Sequence, residues 1–314
     1  KNPAYGSIQK LHAGWGSGGD LISLCEDRVV KILANKDALF NADGNPNVVA
    51  TDKVLGTATP YAGKNGISKN PESFASYSYR AYFTDKVRGK VMRLSKDGLT
   101  PISDAGMRDW FRDNLKFNAT NYQAYPSAHS QHVNDKLIGS YDDKKQEYNL
   151  TIKVMPRPAK TITYREDVKG WTTFKSYISE ISKSCNNEYY TFNQGNLWVH
   201  HIEGSLRNNF YGAQYYSSFK VILNDAPGTI KTFHTLNYEG SQSKVDKMLS
   251  YDTYDLTSWD NTTQSYTSAT NTYVNNEHYN LDNKIGWFVR NIKTDMEEGS
   301  LNEFIKKEGK WFNY

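Results

Sequence analysis

Apolar and polar positions alternate with a period of two over much of this chain, and short polar clusters interrupt the alternation at intervals. The clearest case is Tyr79 to Ser103, YRAYFTDKVRGKVMRLSKDGLTPIS, where Tyr79, Ala81 and Phe83 alternate with Arg80, Tyr82 and Thr84. Asp85 to Gly89 supplies a polar turn, Val91, Met92 and Leu94 resume the apolar pattern, and Asp97-Gly98 turns the chain again. Glycine reaches positive φ without steric cost and aspartate bonds its own backbone, so both clusters predict turns. A β-hairpin followed by a second turn is therefore expected, a unit of the kind that forms one blade of a β-propeller.

The same idea recurs along the chain. Leu21–Leu24 and Arg28–Leu33 read as two short strands. Lys136–Val154 reads as a hairpin around Asp142–Lys145, and Asn187–His201 as another around Asn193-Gln194-Gly195-Asn196. Two more strands are expected around Asn224–Gly228 between Tyr215 and Tyr238, and a last pair between Ile285 and Tyr314. The Ser/Thr/Asn/Tyr tract from Asp252 to Asn283 is either an exposed excursion or a pair of edge strands. The units are irregularly spaced, so no fixed repeat sets the fold.

Only one segment changes period. Between Asp104 and Leu115 the apolar residues Met107, Trp110, Phe111 and Leu115 recur at helical spacing, with Asp104 as N-cap. The expected fold is mainly β: a propeller-like array of antiparallel hairpins, complete or incomplete, with one short helix inserted near 104–115. A β-sandwich is the alternative. The chain reads as one β-rich domain over 1–314, with 1–160 and 161–314 as the other partition. Its start at Lys1 and its aromatic ending at Tyr314 read as a fragment of a longer polypeptide.

Composition narrows the function classes. The 38 Lys and Arg stand against 34 Asp and Glu, a net charge of +4 spread along 314 residues, which is no footprint for sequence-specific nucleic-acid binding. Two cysteines, Cys25 and Cys185, make neither a disulfide framework nor a cysteine metal site. No apolar run is long enough to cross a membrane as a helix. The 23 tyrosines, with many Asn, Ser and Thr, suit half-buried pleated surfaces and their turns.

Candidate chemistry is sparse. The pairs His129/His132 and His200/His201 lack the further donors a metal needs, and Asn41 to Asn45 lacks the closing glutamate of a calcium loop. Gly14 to Gly19 is glycine-rich without the ending of a phosphate loop. Asp85, Asp97, Asp142, Asp143, Glu166 and Asp167 could pair across a cleft as a glycosidase acid and base. All lie in expected turns, where a solvated or strand-end role is the simpler reading. Trp15, Trp259 and the tyrosines of 251–279 could stack on sugar rings, but aromatics more often fill cores and subunit interfaces. No catalytic, cofactor or metal site is expected.

Several stretches, taken in order, resemble structural proteins of tailed-bacteriophage virions, particularly those of marine and crAss-like phages. They are residues 63–115, GSYDDKKQEYNLTI (139–152), VKGWTTFKSYISE (168–180), NEYYTFNQGNLWVHH (187–201), residues 219–242 and EFIKKEGKWFNY (303–314). The resemblance implies a non-enzymatic tail or neck component, a nozzle, muzzle or baseplate protein assembled as a homo-oligomeric ring with other tail proteins. It would be made in the host cytoplasm and incorporated into the virion. The alternative is a tail-associated module that binds or cleaves host surface glycans. The residues expected to matter are then structural. Asp85 and Gly89 shape the first hairpin, Asp97 and Gly98 close it, and Gly195 turns the third unit. Trp110, Trp171, Trp198, Trp287 and Trp311 pack the blades.

Overall fold

The structure is a computed structural model that describes residues 2–15, 19–40, 46–116, 135–154, 157–243, 247–275, 280–282 and 284–314. The candidate residues His129, His132 and Asn41 to Asn45 lie outside the described residues. The chain divides into two compact units, Lys1–Phe219 and Lys220–Tyr314.

The first unit is built from antiparallel meanders taken in sequence order. The first sheet contains β1 (Ile8–Ala13), β2 (Leu21–Cys25), β3 (Val29–Phe40) and β4 (Pro46–Pro60). The second contains β5 (Ala75–Tyr77), β6 (Arg80–Asp85), β7 (Lys90–Ser95) and β8 (Gly98–Pro101). After a helix α1 (Arg108–Leu115), the third holds β9 (Lys136–Asp142), β10 (Glu147–Lys153), β11 (Lys160–Arg165) and β12 (Gly170–Lys175). A fourth sheet has three strands, β13 (Ile181–Cys185), β14 (Glu188–Asn193) and β15 (Asn196–Val199). A short hairpin of β16 (Asn209–Phe210) and β17 (Ala213–Gln214) follows. The fold is mainly β, as the alternation predicts. The partition at 160/161 falls inside the third sheet, where Ile152 pairs with Lys160.

The second sheet is buried on both faces. Ala81, Phe83, Met92 and Leu94 point to one side and join Ile22, Leu24 and Val29 of the first sheet in one core. Tyr82 and Val91 point to the other side and join Phe111 and Leu115 of α1 with Leu137, Tyr148, Leu150 and Ile162 of the third sheet. The third sheet meets the fourth through Ser140 Oγ and the Tyr189 hydroxyl, 2.7 Å apart, and through Ser184 Oγ, which donates to the Tyr141 carbonyl at 2.8 Å. Successive sheets thus stack in the order in which the chain makes them. Burying each large apolar side chain of this stack contributes about 1.5–3 kcal/mol.

Two loop types join the strands. Two-residue loops at Asn186-Asn187, Gln194-Gly195 and Tyr211-Gly212 have positive φ at both residues, the type I′ geometry that matches strand twist. Four-residue loops close Asp85↔Lys90, Asp142↔Glu147 and Arg165↔Gly170, and each ends on a left-handed residue, Gly89, Gln146 or Lys169.

Three local expectations differ from what is observed. The helix starts at Arg108, not Asp104, because Ile102–Asp104 forms a 3₁₀ turn and Gly106, at φ +74°, stands between the two. At 96–98 the turn residues are Lys96 and Asp97, and Gly98 opens β8 at φ +108°. A Cβ on Gly98 would meet nothing within 4 Å, so backbone strain alone sets the cost of replacing it. Gly98→Val is expected to lower stability by about 1–3 kcal/mol, and an unchanged urea midpoint would refute this. The third difference concerns Tyr215–Thr235, where no strand forms. The turn closes, with Thr229 N donating to the Ala226 carbonyl at 3.1 Å, but the flanking segments carry no ladder. High β-propensity without a pairing partner does not make a strand.

The second unit has a small sheet in the order β18 (Leu236–Tyr238), β24 (Lys310–Asn313), β23 (Ile305–Lys307). Phe304 and Trp311 are its buried core residues, and Tyr238 packs edge-on to Phe304 at 5.3 Å. Most of the Ser/Thr/Asn/Tyr tract lies in a long hairpin of β19 (Lys247–Asp260) and β20 (Ser265–Asn275), paired from Lys247↔Asn275 to Asp260↔Ser265. β21 (Ile292–Lys293) and β22 (Glu298–Gly299) form a further short pair.

Candidate functional site: buried interlocks between the sheets

The junctions between the first and second, second and third, and third and fourth sheets of the first unit are each bridged by a carboxylate at a hairpin end. Asp85, the last residue of β6, is fully buried. Its oxygens accept from Gly66 N at 3.3 Å, Ser68 Oγ at 3.3 Å, Arg88 N at 3.1 Å and Arg88 Nη1 at 3.1 Å. Arg88 Nη2 continues to Asp27 Oδ1 at 3.0 Å, in the turn between β2 and β3. The first and second sheets are joined by this chain of charges.

Glu166 does the same between the second and third sheets. It accepts from the Tyr82 hydroxyl and Arg93 Nε, both at 2.7 Å, and Arg80 Nε lies 3.6 Å away. Beside it the tyrosines stack: Tyr82 on Tyr148 with ring centres 4.8 Å apart, and Tyr77 on Tyr141 at 4.3 Å. Burial, followed by the hydrogen bond to Glu166, pushes the Tyr82 hydroxyl far above the ordinary range. Burial does the same to Tyr148, whose hydroxyl donates to the Ser73 carbonyl at 2.9 Å. Both hydroxyls therefore remain protonated donors.

Asp142, the last residue of β9, links the third sheet to the fourth. Oδ1 accepts from Lys144 N at 3.0 Å and Lys145 N at 3.1 Å, while Oδ2 lies 2.6 Å from His201 Nε2. The neighbouring His200 faces inward: its Nε2 is 2.8 Å from Thr191 Oγ1, which is 2.9 Å from the Tyr211 hydroxyl. Burial first, and the charge of His201 second, lower the His200 pKa to about 4. Each histidine has its own partner, so the two form no shared dyad with Asp142.

The His200 shift fixes a pH dependence. Its folded pKa lies below that of an unfolded histidine, so below about pH 6.5 the unfolded chain binds more protons and stability falls with pH until about pH 4. The loss is on the order of 3 kcal/mol across that window. His200→Gln should flatten this part of the curve of melting temperature against pH, and an unaltered curve would refute the assignment.

The other carboxylates are not gathered with these. Asp97 and Asp167 are exposed, the latter on Arg165, and Asp143 is partly buried, which raises its pKa. Among the described residues no three His, Cys, Asp or Glu side chains group as metal ligands. Cys25 is buried and Cys185 exposed, both free.

The tryptophans separate into several environments. Trp110 packs edge-on to Phe174 at 5.3 Å, and Trp171 lies 4.5 Å from Phe111 and donates to the Ile102 carbonyl at 3.0 Å. Trp198 meets Tyr211 at 5.4 Å. In the second unit, Trp311 is buried and donates to the Gly240 carbonyl at 2.9 Å, while Trp287 forms an isolated bridge with Gln242. Trp15 is partly buried and packs against the core between the first and second sheets. Trp259 is half exposed on β19.

Two structural residues escaped the sequence reading. Gly139 lies so close to the Ser73 carbonyl that a Cβ there would overlap it. Asn280 acts as an amide hub of the second unit, donating to the Val289 and Leu301 carbonyls at 2.7 and 2.6 Å and accepting from Val289 N at 2.7 Å. Neither carries a local sequence signal, because both roles depend on segments distant in the chain.

No helix among the described residues is long and apolar enough to cross a membrane. No curated protein matches the chain. Residues 205–314 match the family model of the crassvirus muzzle protein C-terminal domain, and this match supports a structural protein of the crassvirus virion, of tail or muzzle type.

Proposed function

We propose that the chain is a non-enzymatic structural component of the phage tail assembly, present as a homo-oligomeric ring in contact with other virion proteins. The observation that carries this reading is the match of residues 205–314 to a muzzle-protein domain. The geometry supports it: carboxylates at the sheet junctions of the first unit, two of them fully buried, serve as staples between sheets, an arrangement suited to a rigid part that bears load. Asp85, Asp142 and Glu166 are committed to internal cations and donors. The three four-stranded meanders and the following three-stranded sheet act as successive blades of a propeller-like array, with Asp85, Gly89, Asp97, Gly98 and Gly195 shaping blade turns and the tryptophans packing blades. Cryo-electron microscopy of the source particle tests the proposal. The expected result is several copies arranged about the tail axis. A single peripheral copy with an outward aromatic groove would overturn it in favour of a glycan-binding module.

A further inference from the structure

The first unit stacks three sheets of four strands and then one of three. Among the described residues no strand pairs with the outer edge of β15, on which Leu197 is 56% and Val199 38% exposed. An open edge with apolar side chains is a template for strand addition, and natural chains normally blunt or cover it.

The same chain carries a segment with the composition of the missing strand and no secondary structure of its own. Lys220-Val221-Ile222-Leu223 has no ladder partner among the described residues, and Val221, Ile222 and Leu223 are 59%, 81% and 63% exposed. It matches β15 in length, four residues against four. Side-chain alternation places Val221 and Leu223 on one face, where they would extend the apolar row made by Leu197 and Val199. The turn after it is closed, with Lys231 Nζ donating to Asn224 Oδ1 at 3.1 Å and Thr229 N to the Ala226 carbonyl at 3.1 Å, and none of these bonds involves the backbone of 220–223. Its few charges, Lys220, Asp225 and Lys231, are mixed in sign, which suits an apolar protein edge and not nucleic acid.

We propose that residues 220–223 of one copy add as a fourth strand to the β15 edge of a second copy, so that each subunit completes its neighbour's sheet by β-augmentation. Donor and acceptor are different segments of the chain, so the contact is heterologous and propagates head to tail, closing into a ring when the rotation permits. The choice of a second copy as the partner rests on the assembly reading above.

Mixed-chain cross-linking tests this. In a full-length Cys185→Ser background, one preparation carries Leu197→Cys and the other carries Val221→Cys, Ile222→Cys or Leu223→Cys in turn, so that both faces of the donor are sampled. Mixing and mild oxidation should give a covalent heterodimer for at least one donor position, absent when either preparation is oxidised alone. Leu223→Asp, at an exposed position, should leave the melting temperature unchanged and weaken association at least tenfold by mass photometry. Cross-links that form only within a doubly substituted chain would overturn the inference, because the arm would then close on its own subunit. Multimers that persist without any of these cross-links would overturn it while leaving the ring reading intact. A strict monomer, with a single peripheral copy on the particle, would overturn both.

Discussion

Gly139→Val is expected to cost about 3 kcal/mol or more, at or beyond the upper end of core overpacking. In the first unit that corresponds to a fall in melting temperature of roughly 10 °C. The reason is backbone against backbone. Gly139 sits in the middle of β9, paired with Leu150, where the third sheet presses on the 3₁₀ turn Pro71–Ser73 that leads into the second. A Cβ at 139 would overlap the Ser73 carbonyl oxygen. Ser73 has little freedom to retreat: its Oγ donates to the Asn70 carbonyl at 2.8 Å and accepts from Thr84 N at 3.1 Å, and its own carbonyl accepts the Tyr148 hydroxyl. Moving it would break three hydrogen bonds, two of them buried, and open the core around Tyr82 and Tyr148. Urea unfolding of the wild type and of Gly139→Ala and Gly139→Val provides the measurement. Gly139→Ala already introduces the clash, so both variants should be strongly destabilised. A small loss for Gly139→Ala would show that the two sheets are not in close contact here.

Gly139 also illustrates what the sequence could and could not reveal. Turns are local, and the hairpins around Asp85–Gly89, Asp142–Lys145 and Asn193–Asn196 were legible because Asp, Asn and Gly carry their conformational preferences with them. Strand alternation was legible as period two. Its meaning was not, because a strand buried on both faces hides Tyr82 and Phe83 equally, one against each neighbouring sheet. The carboxylates show the same limit. Asp85 and Asp142 read as turn residues and are indeed at strand ends, but they are buried, since Arg88 and His201 cover them. The partner of Glu166 lies 84 positions away at Tyr82, beyond any local pattern. The expected strands of 215–238 failed for the complementary reason: the residues have the propensity, and the chain supplies no ladder partner for most of them.

Asp85→Ala is the second substitution expected to have a large effect, about 3–5 kcal/mol, because it strips one partner from a buried charged network. Four donors lose their acceptor at once: Gly66 N, Ser68 Oγ, Arg88 N and Arg88 Nη1. Arg88 keeps Asp27, which is partly exposed, so its charge is not stranded entirely. Most of the cost then falls on the buried amide and hydroxyl groups, and Asp85→Asn, which keeps an acceptor oxygen but not the charge, should lose less, about 1.5–3 kcal/mol. A double-mutant cycle with Arg88→Met separates the charge pair from the backbone bonds. If the pair matters, removing Asp85 costs less in the Arg88→Met background than in the wild type, by 0.5–3 kcal/mol. Equal costs in both backgrounds would place the whole effect on Gly66 N, Ser68 Oγ and Arg88 N, and the Asp85–Arg88 charge pair would then contribute nothing to joining the first two sheets. A cost below about 1 kcal/mol for Asp85→Ala itself, the level of an exposed ion pair, would remove the case for carboxylate staples at the sheet junctions.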